Sequence, residues 1–113
     1  MNMADYVDLN GTKYELDCKG YLVDFAKWDV QLRDWFAEQE GVDLTDEHYE
    51  AIEYLRKYYN EHGVHPEIRM ITSAMAQMFN KVKGTAMYFH VLFPAGLHQA
   101  DKIAGLPLRH SCC

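Results

Sequence analysis

Proline and cysteine are both scarce in this chain, three of each among 113 residues, and long hydrophobic runs are missing. No apolar stretch approaches the roughly 18 residues a transmembrane helix needs. The opening Met1-Asn2-Met3-Ala4-Asp5 lacks the basic patch and apolar segment of a secretory leader. An odd number of cysteines, at 18, 112 and 113, argues against a disulfide framework and points to a reducing cytoplasm. Positive charge is also in short supply. Eleven Lys and Arg against 17 Asp and Glu leave a net charge of −6, whereas a generic nucleic-acid binder needs a basic footprint.

What is present suits a folded domain. Hydrophobic residues are 49% of the chain, aromatics 13% and charged residues 25%, so disorder is excluded and one domain spanning residues 1–113 is expected. Tyr6, Val7 and Leu9 lead into Asn10-Gly11, and Lys13 to Leu16 alternate behind it. Asn-Gly supplies the positive φ angles of a tight hairpin turn. Asp17-Cys18-Lys19-Gly20 reads as a second turn before Tyr21-Leu22-Val23, giving two or three short strands within residues 1–25.

From Trp28 the hydrophobic period changes to about 3.6 residues. Asp29 caps a helix with Leu32, Trp35 and Phe36 on one face and Gly41 past its end. Thr45 caps a second, over about 46–61, whose Ile52, Leu55 and Tyr59 share a face. Pro66 suits the first turn of a third, over about 66–80, with Ile68, Ile71, Met75 and Met78 in a stripe. Short helices follow at 86–93 and 98–104, so residues 29–104 form the helical core. The expected fold is mainly α: an N-terminal β-hairpin, a helical bundle with a helix-turn-helix-like core, and a flexible C-terminal arm over 105–113. In that arm Pro107 discourages helix and nothing beyond it looks able to anchor the segment.

Thiols on such an arm are the chief chemical candidates, because a mobile thiol can enter a partner's pocket. Thiolate is the reactive form; Arg109 and His110 favour it, and a terminal carboxylate opposes it. The alternative is a tail whose cysteines do nothing. No metal is expected: His62 and His65 straddle a turn, and adjacent thiols at 112 and 113 are poorly placed to join His98 and His110 around zinc. No phosphate loop or nucleophile elbow occurs, and no cofactor is expected. Helices two and three could be read as a DNA-binding helix-turn-helix. The outward set of the third, Glu67, Arg69, Thr72, Ser73, Gln77, Asn80 and Lys81, is weak for base reading.

Leu92-Phe93-Pro94-x-Gly96, then Gln99-Ala100-x-Lys102-Ile103-Ala104-Gly105-Leu106-Pro107, then a penultimate cysteine, resembles the DsrC/TusE family of small sulfur carriers. So do Gly20-Tyr21-Leu22, Trp28, Leu44-Thr45-x-Glu47-His48, Leu55-Arg56-x-Tyr58-Tyr59, Pro66-x-Ile68-Arg69-Met70 and Lys83-Gly84, and the likeness covers nearly the whole chain. It implies that Cys112 receives sulfur as a persulfide from an upstream relay protein and passes it downstream, in tRNA 2-thiouridine synthesis or sulfur oxidation. Arg69 matches a family arginine near the docked arm. Lys102 matches a basic position beside the family's second cysteine site.

Three departures bear on that expectation. Asp101 stands where the DsrC branch carries a second reactive cysteine, eleven residues before Cys112. This weakens a partnership with dissimilatory sulfite reductase and favours a one-cysteine, TusE-like sulfurtransferase. The Ala95–His98 loop is one residue short and lacks the usual proline. Cys113 replaces an aliphatic residue; it either fills that place or resolves a persulfide on Cys112. Cys18, without a family counterpart, is expected to be structural. The alternative class is a regulatory or DNA-binding protein that transfers no sulfur.

Overall fold

A computed structural model of the chain describes residues 5–109. The hairpin pairs β1 (Asp5–Leu9) with β2 (Thr12–Leu16) antiparallel, Val7 facing Tyr14 and Leu9 facing Thr12. Asn10 and Gly11, with φ of 54° and 89°, make the turn, and the Gly11 amide donates to Asp8 Oδ1 at 3.0 Å. Tyr21–Val23 does not become a third strand; it contributes one bridge, Leu16 to Leu22. The Asp17 carboxylate holds this stretch in a turn instead, accepting from the amides of Lys19 at 2.8 Å and Tyr21 at 2.9 Å.

Among the described residues five α-helices follow a short 3-10 turn at Phe25–Lys27: α1 (Val30–Glu40), α2 (Asp46–His62), α3 (Ile68–Met78), α4 (Ala86–Leu92) and α5 (Leu97–Ile103). Asp29 caps α1 by accepting from the Leu32 amide at 2.9 Å, and Thr45 stands at the N-cap of α2. Glycines end both helices, at Gly41 and Gly63. The third helix starts later than expected. Its N-cap is Glu67, and Pro66 lies outside with its carbonyl committed to Arg109 at 2.9 Å.

The hairpin is tied to α1 through Tyr14, which is buried and donates to Asp29 Oδ2 at 2.6 Å. Leu32 and Phe36 from α1, Ile52 and Leu55 from α2, and Ile71 and Met75 from α3 fill the core. Phe89, Phe93 and Ile103 join them from the C-terminal half, and so does Leu106, with no exposed surface. Burying a leucine this fully stabilises by about 1.5–3 kcal/mol. The segment expected to be a flexible arm over 105–113 therefore begins inside the core, at Leu106.

Candidate functional site

The site is built around the C-terminal end of α5, where the chain leaves the helix. A helix ends with carbonyls that need donors, and here the donors can be named. The Gly105 amide bonds to Lys102 O at 3.1 Å and the Leu106 amide to Asp101 O at 2.9 Å, the paired bonds of a Schellman ending. Trp28 Nε1 donates to Ile103 O at 2.9 Å, and Arg56 Nη1 donates to Ala104 O at 2.9 Å. Gly105 has a φ of +76°, and a β-carbon there would come within 2.2 Å of the Trp28 indole. Only glycine meets both the backbone angle and the approach.

Arg56 reaches this point from α2 across the faces of Phe25 and Trp28, 3.9 Å and 4.2 Å from the ring centroids. Its Nη2 donates to Phe25 O at 3.2 Å. Burial lowers its pKa to about 10, which still leaves the guanidinium charged at neutral pH.

Beyond Gly105 the chain is held by a second set of groups. His65 Nε2 donates to Pro107 O at 2.6 Å. Arg109 Nε donates to Asp101 Oδ2 at 2.6 Å, with Nη2 3.4 Å from Oδ1. Asp101 is completely buried, and the Arg109 side chain is 16% exposed. Burial raises the Asp101 pKa, and the Arg109 charge and hydrogen bond only partly offset that rise.

Lys102 lies beside the root, its Nζ 5.0 Å from the Tyr21 ring centroid and 3.7 Å from Glu40 Oε2. Burial, with Asp101 next in effect, pushes the Tyr21 hydroxyl up to about 12. Arg69 is exposed and lines a shallow groove with Tyr54, Met70, Ser73 and Gln77. Two guanidiniums, those of Arg56 and Arg109, hold the segment that follows α5; Arg109 was connected from the sequence only with thiolate formation. Cys112, Cys113 and His110 lie outside the described residues.

Cys18, exposed in the turn after β2, is disulfide-bonded. The Ala95–His98 loop closes without proline: Gly96 turns the chain into α5, and Gln99 accepts from the Ala95 amide at 3.1 Å. Among the described residues, no three His, Cys, Asp or Glu side chains gather as a metal site. No helix among them is long and apolar enough to cross a membrane.

The fold and this site define a class: a hairpin-plus-helices domain whose segment after α5, through Arg109, is held by α2, α5 and the residues leading into α3. The chain belongs to the DsrC-like protein family, whose model matches residues 8–113. It is 41% identical over 107 residues to the sulfurtransferase TusE of Pectobacterium atrosepticum, covering 94% of this chain and 98% of that protein. It is 42% identical over 103 residues to TusE of Escherichia coli K12, covering 90% and 94%.

Among solved structures, DsrC of Allochromatium vinosum superposes with a TM-score of 0.85 at 37% identity, covering 98% of this chain and all of that one. The oxidised γ-subunit of dissimilatory sulfite reductase (DsrC) from Archaeoglobus fulgidus superposes with a TM-score of 0.86 at 31% identity, covering 96% and 100%.

Proposed function

We propose that this protein is a sulfur carrier of a sulfur relay, taking a persulfide on Cys112 and passing it to an acceptor protein. The observation that carries the reading is the anchored root. A relay thiol must leave one partner's pocket and enter another's, so it needs a short free segment on a fixed base. Leu106, Pro107 and Arg109 supply that base three residues before the penultimate cysteine. Loading transfers a sulfane sulfur: the Cys112 thiolate attacks the outer sulfur of a donor persulfide, and the donor leaves as thiolate.

The relatives named sulfurtransferase TusE support this one-cysteine route. With Asp101 in place of the second cysteine, a disulfide within the arm at that position is chemically unavailable. A partnership with a dissimilatory sulfite reductase is the weaker form of the proposal for that reason. The partners we infer are an upstream persulfide donor and a downstream thiol acceptor, meeting in the cytoplasm. The regulatory, DNA-binding alternative is disfavoured by the net charge of −6 and by the relatives' transferase names.

The experiment is intact mass after exposure to a charged cysteine desulfurase, a protein persulfide donor. The protein is expected to gain one sulfur, lost in Cys112→Ser and retained in Cys113→Ser. No sulfur on Cys112 from any persulfide donor contradicts the carrier role. One observation favours a second, redox use of the thiols, namely the disulfide at Cys18. Peptide mapping without reductant tests it: a Cys18-linked peptide that rises with persulfide exposure supports resolution with release of sulfide, and an unchanged amount contradicts it.

A further inference from the structure

Residues three and four apart share one face of a helix. On α2 that spacing runs through Tyr49, Ile52, Arg56 and Asn60, with Lys57 beside them, and this face meets α1 across a cleft. The residues just before α1 close one side of it, leaving a cavity of about 510 Å³, within the size range of ligand sites. Arg56 and Trp28 act as donors to the end of α5, which does not account for the cavity itself.

The cations that line this cavity lack anions. Arg56 lies over Phe25 and Trp28, and its two hydrogen bonds go to backbone carbonyls, those of Ala104 and Phe25. It is half-buried and charged at neutral pH, yet among the described residues it pairs with no carboxylate. Lys57 makes no side-chain hydrogen bond or ion pair among those residues. Arg33 comes from α1 over the Tyr49 ring, 4.3 Å from its centroid, and only its Nε is committed, to Asp34 Oδ1 at 2.9 Å. Glu53 is the one carboxylate in the lining; it stands a turn before Arg56 and Lys57 and pairs with neither.

A guanidinium laid on an aromatic face keeps its edge N–H groups for other acceptors. A half-buried charge without a counter-ion has also lost hydration that no partner returns. We propose that this cavity is a docking site for an acidic segment of a partner protein, one that presents a carboxylate beside an apolar side chain. The carboxylate meets the free donors of Arg33, Arg56 and Lys57, where a planar fork matches a planar acceptor. The apolar side chain rests on Val30 and Tyr49, both exposed in the lining.

Charge selects the class of occupant. Three cations against one carboxylate make the lining positive in a chain whose net charge is −6. A singly charged carboxylate gains there, whereas a polyanion such as RNA meets the negative field of the rest of the chain. Aromatic residues and arginine are also the side chains that most often anchor protein interfaces. The lining contains no cysteine, and docking there does not depend on where sulfur is carried.

The test follows backbone amides of the full wild-type chain by NMR during titration with the end-blocked peptide Glu-Leu-Asp-Phe-Glu to millimolar concentration. Shifts should gather on α1, α2 and Phe25–Trp28 and saturate. The neutral peptide Gln-Leu-Asn-Phe-Gln should bind several-fold more weakly. Lys57→Gln should weaken the acidic peptide by about two- to fivefold, and Glu53→Gln should tighten it by a similar factor. Both positions are exposed, so neither change should disturb the fold, and a merely structural role does not move affinity in opposite directions. Absence of shifts at the cavity, equal binding of the neutral peptide, or an affinity unmoved by both substitutions overturns the proposal. Inorganic phosphate or a short oligoribonucleotide that shifts the same amides at lower concentration than the peptide overturns it as well, and assigns the cavity to a phosphate-bearing ligand.

Discussion

Two of the acidic side chains that hold cations among the described residues, Glu47 and Asp101, do so under opposite conditions. Glu47, in the first turn of α2, accepts from Lys83 Nζ at 2.5 Å and also from the Tyr88 hydroxyl. Its side chain is 25% exposed and that of Lys83 is 37% exposed. The Lys83 hydrogen bond, then that of Tyr88, lowers the Glu47 pKa. Asp101 is fully enclosed, and burial raises its pKa despite the guanidinium against it. The surface cluster gains from ionisation. The buried pair ionises at a cost and gains a defined geometry. One fastens α4 to α2, and the other fastens the arm that carries the proposed chemistry.

The comparison is broken most severely at the helix ending that both arm contacts depend on. Gly105→Val adds a β-carbon into Trp28 on a backbone with φ of +76°, so the expected result is loss of cooperative thermal unfolding at 37 °C, read by circular dichroism. Next is Arg109→Ala, which leaves a buried carboxylate without its cation; a loss of about 3 kcal/mol is expected in urea denaturation at neutral pH. Adding Asp101→Asn to Arg109→Ala should recover most of that loss, because the orphaned charge is gone.

Asp101→Asn alone sharpens the contrast. A carboxyl whose folded pKa lies above its unfolded value binds protons more tightly in the native state. Its favourable contribution is full below the usual pKa of 3.8 and is lost as pH rises through the raised value. The variant should therefore match the wild type in acid and be no less stable at neutral pH, by thermal melts across that window. Glu47→Gln should show the reverse. Its contribution is present above 4.5 and disappears as pH falls through the lowered pKa, so wild type and variant should differ slightly at neutral pH and converge in acid.

The local grammar of the fold is legible in the sequence. Asn10-Gly11 marks the hairpin, Asp29 and Thr45 mark helix starts, and the Ile71 and Met75 stripe marks a buried face, because each signal acts within a few residues. The arm's root is not legible in the same way. Arg109 meets Pro66 across 43 positions, and Arg56 meets Ala104 across 48. Trp28 meets Ile103 across 75. No periodicity records such pairings. The family likeness pointed to Lys102–Pro107 as a special string, and the packing gives the physical reason: every carbonyl leaving α5 has a specific donor. Pro66 misled for the same reason, its carbonyl being drawn to the arm.

The most direct test of the central claim is to locate transferred sulfur by mass spectrometry. The chain is loaded from a protein persulfide donor, its free thiols are trapped, and the C-terminal peptide is fragmented. The account predicts a single sulfane sulfur on Cys112, with Cys113 and Cys18 unmodified by sulfur, and its disappearance when a thiol acceptor is added. Sulfur found on Cys113 or Cys18 and never on Cys112 would contradict it.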